Sequence, residues 1–225
     1  MQRISPRFAV LIGLAVVLAS IAVWRLLLSG GDEPADKSDP NAARIARLRQ
    51  QRNVAALGRE LTNPNPDVAR RAIAALGEIG SESLDHVRGA LADARPRVRE
   101  KAAATYAHVA QHKDAAPLAR LATTDESPNV RAAAVSGLDR MMAFEQMDAI
   151  LAAMDDPDVL VRRRAANAAE RFACVRVGYN ADASPAQRQA AIERLRAEWL
   201  KSQQRAAKYW EMIRTKPPTG AGAGG

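Results

Sequence analysis

The sequence predicts an all-α fold: an α-solenoid of stacked helix pairs, with one N-terminal transmembrane helix ahead of it and a long C-terminal helix behind. Three observations carry this expectation. A segment built on a proline, a valine and an alanine–leucine pattern occurs four times at a spacing near 31 residues. The apolar content of 48% comes largely from alanine, leucine and valine, while aromatics reach only 4%, a balance that suits closely packed helices better than strands. An uncharged run, "FAVLIGLAVVLASIAVW", extends from Phe8 to Trp24.

That run is the first element. Counted past Arg25 through Leu28 it spans about 31 Å at 1.5 Å per residue, close to the thickness of a bilayer's hydrocarbon core. Arg25 lies near one end, where its side chain can snorkel to the headgroups, and Trp24 suits the interface. Residues 1–28 therefore read as a transmembrane anchor. The rival is a signal peptide with Arg3 and Arg7 as its basic start and Ser20-Ile21-Ala22 as a cleavage site; the apolar run continues past that site, which favours the anchor. Arg3 and Arg7 precede the span and a net acidic "GGDEPADKSD" follows it. The positive-inside rule then places the N-terminus in the cytoplasm and the remaining chain outside, in the cytoplasmic (inner) membrane as a single-pass protein, or in the periplasm or medium if the segment is cleaved. Residues 29–40, rich in glycine, proline and acid, read as a flexible linker.

The repeat occupies residues 41–175, about four helix pairs. Aligned on Val68, Val98, Val130 and Val161, the copies are 30, 32 and 31 residues apart. Four positions on stand Ala72, Ala102, Ala134 and Ala165; eight on, Leu76, Tyr106, Leu138 and Ala169; eleven on, Ile79, Val109, Met141 and Phe172. These offsets fall on one helical stripe. The proline before each valine sits near a helix start, where its missing N–H costs nothing. Asn63, Asp93, Asp125 and Asp155 precede the prolines and supply turn and capping chemistry. Shorter apolar segments lie between: Leu57 and Leu61; Leu84, Val87 and Leu91; Leu118 and Leu121; Met147, Ile150 and Leu151. The unit is a short helix, a tight turn and a longer helix, and several must stack to bury a common core.

Pro66-Asp67-Val68 with Ala72, Ala75, Leu76 and Gly77, then Val98-Arg99, Val130-Arg131 and Val161-Arg162 with their following alanines, resemble the short bacterial HEAT-like repeat of the type also found in phycocyanobilin lyases. The resemblance covers residues 54–174. It implies an armadillo-like α-solenoid whose work is protein binding, with the second helix of each pair lining the concave side. Tyr106 and Ala169 depart from the usual leucine, and only the first copy keeps the full "ALG".

Residues 176–214 read as a loop and a C-terminal capping helix. Ser184, Pro185 and Gln187 have capping-box spacing, and a helix should run from Pro185 to about Arg214. It either covers the open end of the solenoid or protrudes to bind a partner. Residues 215–225, "TKPPTGAGAGG", read as a disordered tail.

The net charge of +8 is uneven: residues 1–40 are neutral, residues 41–175 carry +3 and residues 176–225 carry +5. Such an excess can attract nucleic acid or an anionic surface, but no nucleic-acid motif accompanies it, so the basic C-terminal helix as a binder of either is the lesser alternative. No catalytic, cofactor or metal site is expected. His108 and His112 are four apart with His86 in the same repeat, short of a zinc ligand set, and a helix C-terminus accounts for the first two. Cys174, the single cysteine, has Arg171 and Arg176 nearby but no adjacent histidine; a lyase-like enzyme or enzyme accessory using it is the second alternative. No small-molecule site is expected.

Two groups of residues are singled out. Arg99, Arg131 and Arg162, each directly after the repeat's valine, read as a structural ladder to neighbouring carboxylates such as Asp67, Asp93, Asp125 and Asp158. Arg70, Glu100, Arg140, Arg163, Asn167, Glu170 and Arg171 turn away from the buried stripe and are the candidate partner-binding residues. The expected function is a membrane-tethered scaffold that binds another protein, with residues 8–28 in the membrane.

Overall fold

The structure is a computed structural model that describes residues 39–215. The expected anchor or signal peptide over residues 1–28, the linker up to residue 38 and the tail beyond Thr215 lie outside the described residues. Contacts divide the chain into Met1–Ala43 and Arg44–Gly225. In the first unit, Asp39 Oδ1 accepts from the Asn41 N–H at 2.9 Å where a helix begins. The second unit is described below.

Ten α-helices occur among the described residues, and no strand: α1 (Pro40–Gln50), α2 (Val54–Glu60), α3 (Pro66–Ile79), α4 (Leu84–Ala90), α5 (Pro96–Val109), α6 (Ala116–Thr124), α7 (Pro128–Arg140), α8 (Met147–Ala153), α9 (Val159–Ala173) and α10 (Pro185–Thr215). None is long and apolar enough to cross a membrane. Short α2, α4, α6 and α8 each pack on the longer helix that follows. The longer helices stack in chain order, α3 on α5, α5 on α7 and α7 on α9, and α10 packs on α9.

The stripe explains the stacking. Val68, Val98, Val130 and Val161 are at most 2% exposed, and the alanines four residues on are fully buried. Leu76, Tyr106, Leu138 and Ala169 are fully buried too, and Ile79, Val109, Met141 and Phe172 complete one continuous core that reaches Ile192 and Leu195 of α10. A helix pair alone would leave half of this stripe in water, so each copy is stable only against its neighbour. Small residues set the approach of the stack. A Cβ on Gly137 would lie 2.7 Å from Leu118 Cδ1 and 3.2 Å from Ala107 Cβ, and one on Gly77 would lie 2.6 Å from Thr105 Cγ2.

Helix ends follow a shared device. Arg52, Met142 and Cys174 have φ of 50°, 53° and 52°. The next residue in each case donates its N–H to the carbonyl five back: Asn53 to Leu48, Ala143 to Leu138 and Val175 to Glu170. This left-handed stop closes the orphan carbonyls of α1, α7 and α9.

The turns are equally regular. Asn63, Asp93 and Asp125 each accept, through Oδ1, the N–H two residues on, at 3.0, 2.8 and 2.9 Å. The fourth copy corrects the sequence assignment: Asp156, not Asp155, takes this role, accepting from Asp158 at 2.8 Å. Pro157 lies outside α9, and Asp158 instead caps it by accepting from Leu160 and Val161. A fifth copy was hidden in the C-terminal piece. Asn180 Oδ1 accepts from the Asp182 N–H at 2.9 Å, and Pro185 opens α10 five residues after Asn180. Ser184 and Gln187 form the capping box, the Ser184 N–H donating to Gln187 Oε1 at 3.1 Å and the Gln187 N–H to Ser184 Oγ at 3.4 Å. Residues 175–179, ahead of the Asn180 turn, are non-helical and stand where earlier copies have a short helix. From Lys201 to Ala206 the side chains of α10 are exposed apart from half-buried Ser202, so the helix leaves the core at about its midpoint.

Candidate functional site

The longer helices are held in register by arginines directly after the valine position of the repeat, three residues after Pro96, Pro128 and Pro185 and five after Pro157. Arg99 Nη1 donates to the carbonyls of Asp93 and Ala94, while its Nε and Nη2 reach Asp125 of the next turn at 2.8 and 3.0 Å. Arg131 repeats this with the carbonyls of Asp125 and Glu126 and with Asp156 at 2.7 and 2.8 Å. Arg162 Nη1 donates to the carbonyls of Asp156 and Pro157, but its Nε finds the Ala181 carbonyl at 2.7 Å rather than a carboxylate. Asp158 therefore is not a rung; it is a helix cap. Arg188 is a fourth member in the fifth copy, donating Nη1 to Ala183 O at 2.8 Å and reaching back to Asp155. The first copy has Ala69 at this place, and Arg95 substitutes by reaching back to the carbonyls of Asn63 and Leu61 at 2.6 and 2.8 Å. Arg95 also holds the Asp93 carboxyl below its ordinary range by hydrogen bonding, against the opposing effect of burial.

Ion pairing along these turns leaves the outward face of the longer helices to other side chains. There, α3, α5, α7 and α9 enclose a groove of about 230 Å³. Five cations line it: Arg70, Arg97, Lys101, Arg140 and Arg164; Glu100 is the single carboxylate. Arg70 is partly occupied by Asp67 at 3.0 Å, and Arg164 donates to Ala132 O and Ser136 Oγ at 3.2 and 3.0 Å. Arg97, Lys101 and Arg140 form no ion pair among the described residues. Ala104, Ala133 and Gly137 make a shallow floor.

His108 also lines this groove. Its pKa is lowered, first by partial burial of the ring and then by Arg140 and Lys101.

Of the seven residues expected to meet a partner, Arg70, Glu100 and Arg140 converge on this groove. Asn167, Glu170 and Arg171 line a separate hollow of about 490 Å³ with Cys174 and Arg176. Two of them are already engaged: Glu170 Oε1 accepts from the Val177 N–H at 3.1 Å, and Arg171 pairs with Asp139. Arg163 reaches Asp182 at 2.7 Å, with both side chains more than half exposed. Cys174 is exposed and serves as the left-handed stop of α9. Arg97, Lys101, His108 and Arg164 were not among the expected binding residues. The signal for three of them was present, since positions 97, 101 and 108 share one face of α5 with Ala104 between.

Residues 54–139 match the family model described as HEAT repeats. That stretch is thus built of HEAT-like repeats, in keeping with the stacked helix pairs above. Among solved structures, it is similar to the complex of CpcE and CpcF of phycocyanin lyase from Nostoc sp. at 19% identity and a TM-score of 0.48, over 68% of this chain and 99% of that one. It is also similar to an engineered protein at 16% identity and a TM-score of 0.46, over 71% of this chain and 84% of that one. No curated protein matches the sequence.

Proposed function

We propose that this chain is a membrane-tethered scaffold that binds another protein through the groove of its longer helices, outside the cytoplasm. The observation that carries the reading is convergence: Arg70, Glu100 and Arg140 come from three successive repeats and meet in one groove, whose side chains are not consumed by the ladder that holds the stack. HEAT repeats are a binding architecture, and polar side chains raised on rigid helices around a shallow floor fit recognition of a chain better than chemistry on a small substrate. The tether rests on the sequence alone, on the uncharged run from Phe8 to Trp24 and the basic residues before it.

Two measurements test this reading. A photocrosslinking amino acid placed at position 70, 100 or 140 in the full chain, in native membranes, should give discrete protein adducts; the same group at position 52 or 148 should not. No adducts at the groove, or equal adducts everywhere, overturns the binding reading. Protease added to cells with any outer membrane opened should digest the repeats, and shielded repeats overturn the placement outside the cytoplasm.

A further inference from the structure

We propose that the partner segment held in the groove is an acidic, extended stretch of polypeptide. This rests on the binding reading above and names the chemistry of the partner. Some exposed arginines elsewhere in the unit are matched to carboxylates, as Arg49 is to Glu78, Arg163 to Asp182 and Arg196 to Asp148, all within 2.8 Å. Others, such as Arg47, Arg59 and Arg120, are exposed without an ion pair among the described residues, and none of these lines the groove. The groove differs in bringing unpaired cations from successive helices together. Arg97 and Lys101 of α5 face Arg140 of α7 with no carboxylate between them except Glu100, which itself has no ion pair among the described residues. Gathering like charges on one face costs stability through mutual repulsion, so the arrangement gains when an anionic ligand neutralises it.

The choice of ligand follows from the lining. Nucleic-acid phosphates would satisfy the cations, but they would meet Glu100 with repulsion, and no Phe, Tyr or Trp side chain lines the groove for a base to stack on. A polypeptide answers both charges. Its aspartate or glutamate side chains pair with Arg97, Lys101 and Arg140, and its backbone N–H groups donate to Glu100. Ala104, Ala133 and Gly137 admit a main chain close to the helices, because they project little or nothing into the groove.

The test uses the purified full chain in detergent micelles and fluorescence anisotropy. The probe is a fluorescein-labelled decapeptide alternating glutamate and alanine. Its counterparts are the glutamine-for-glutamate peptide, a lysine–alanine peptide and labelled decathymidine. The glutamate peptide should bind at low salt and weaken as salt screens the charges. Arg140→Gln, Lys101→Gln and Arg97→Gln should each weaken it about tenfold, the scale of one charge-assisted hydrogen bond, while Arg196→Gln should leave it unchanged. Arg140→Glu should abolish binding, and circular dichroism checks that the helices persist; if they do not, Lys101→Glu serves instead. The proposal is overturned if the glutamate peptide binds no better than its glutamine analogue, if the groove variants bind like the parent chain, or if decathymidine binds as tightly and is lost in the same variants. Should the peptide fail while crosslinks at positions 70, 100 and 140 persist, the acidic partner is wrong and the scaffold stands; absent crosslinks remove the scaffold itself.

Discussion

Arg131 and Asp156 form a two-point ion pair between consecutive repeats, Nε to Oδ2 at 2.7 Å and Nη2 to Oδ1 at 2.8 Å. The same Asp156 Oδ1 also accepts the Asp158 N–H that shapes its own turn. One carboxylate therefore fixes a turn and clamps the preceding helix to it. Arg99 and Asp125 repeat the arrangement one unit earlier. The period of the stack is thus written in hydrogen bonds as well as in apolar burial.

Breaking this pair should cost more than removing it. The Arg131 and Asp156 side chains are only 11% and 6% exposed, so Arg131→Met strands a desolvated carboxylate. A loss of about 3 kcal/mol is expected in urea unfolding, the scale for one partner of a buried pair. Adding Asp156→Asn should cost less than the sum of the two single changes, by at least about 1 kcal/mol. Strict additivity would show that the rungs are independent surface contacts.

Two glycines should respond to alanine in opposite directions. Gly137→Ala drives a Cβ into Leu118 and Ala107 at the junction of α5, α6 and α7, and should destabilise by about 1–3 kcal/mol. Gly89→Ala, in α4, meets nothing within 4 Å and should stabilise by about 0.5–1 kcal/mol through helix propensity and a less free unfolded chain. Thermal melts of both variants check the pair. Equal effects would mean that close approach of the stack does not depend on Gly137.

The valine-marked stripe was legible because burial demands it at offsets of 4, 8 and 11, which only a helix brings to one side. The fifth copy was not. It carries Gln187 where the others have valine, and a loop stands in for its short helix, so its identity lies in the Asn180 turn and the Arg188 rung. Helix α1 offers only Ile45 and Leu48 to the core amid basic residues, too little for periodicity to mark. The groove was half legible. Outward-facing Arg70, Glu100 and Arg140 could be read from the stripe, but which cations stay unpaired depends on carboxylates arriving from another repeat. Asp125 reaches Arg99 from 26 residues away, and no carboxylate among the described residues reaches Lys101.

Tyr106 occupies the leucine position of its repeat, fully buried, and its hydroxyl donates to the Asp114 carbonyl at 3.0 Å. That carbonyl lies in the 3₁₀ turn before α6, within the longest of the three spacings between repeats. The hydroxyl therefore ties down the additional chain. Tyr106→Phe should cost about 1 kcal/mol, one buried hydrogen bond, and should raise amide exchange selectively in residues 111–116. Tyr106→Leu should cost more, since it also removes ring volume. Unchanged exchange in that segment would show that the turn is held by other contacts.

His108 should make stability fall as the medium is acidified. Its folded pKa lies below the unfolded value of about 6.5, through partial burial and then through Arg140 of α7 and Lys101 of its own helix. The unfolded chain thus binds the proton more readily. The contribution is fully present above the unfolded pKa and is lost as pH falls through the folded one. Asp93 and Asp155 cannot produce this slope. Arg95 holds Asp93 low by hydrogen bonding, while Asp155 is pushed up by burial but brought low on balance by Arg188 and Gln189, so both lose stability only below about pH 4. Urea midpoints measured from pH 7.5 down to 5 should therefore decline in the parent chain and flatten in His108→Gln. Arg140→Gln should flatten the decline in part, because it removes the nearby charge but leaves the burial. An unchanged decline in His108→Gln would place the titrating group elsewhere.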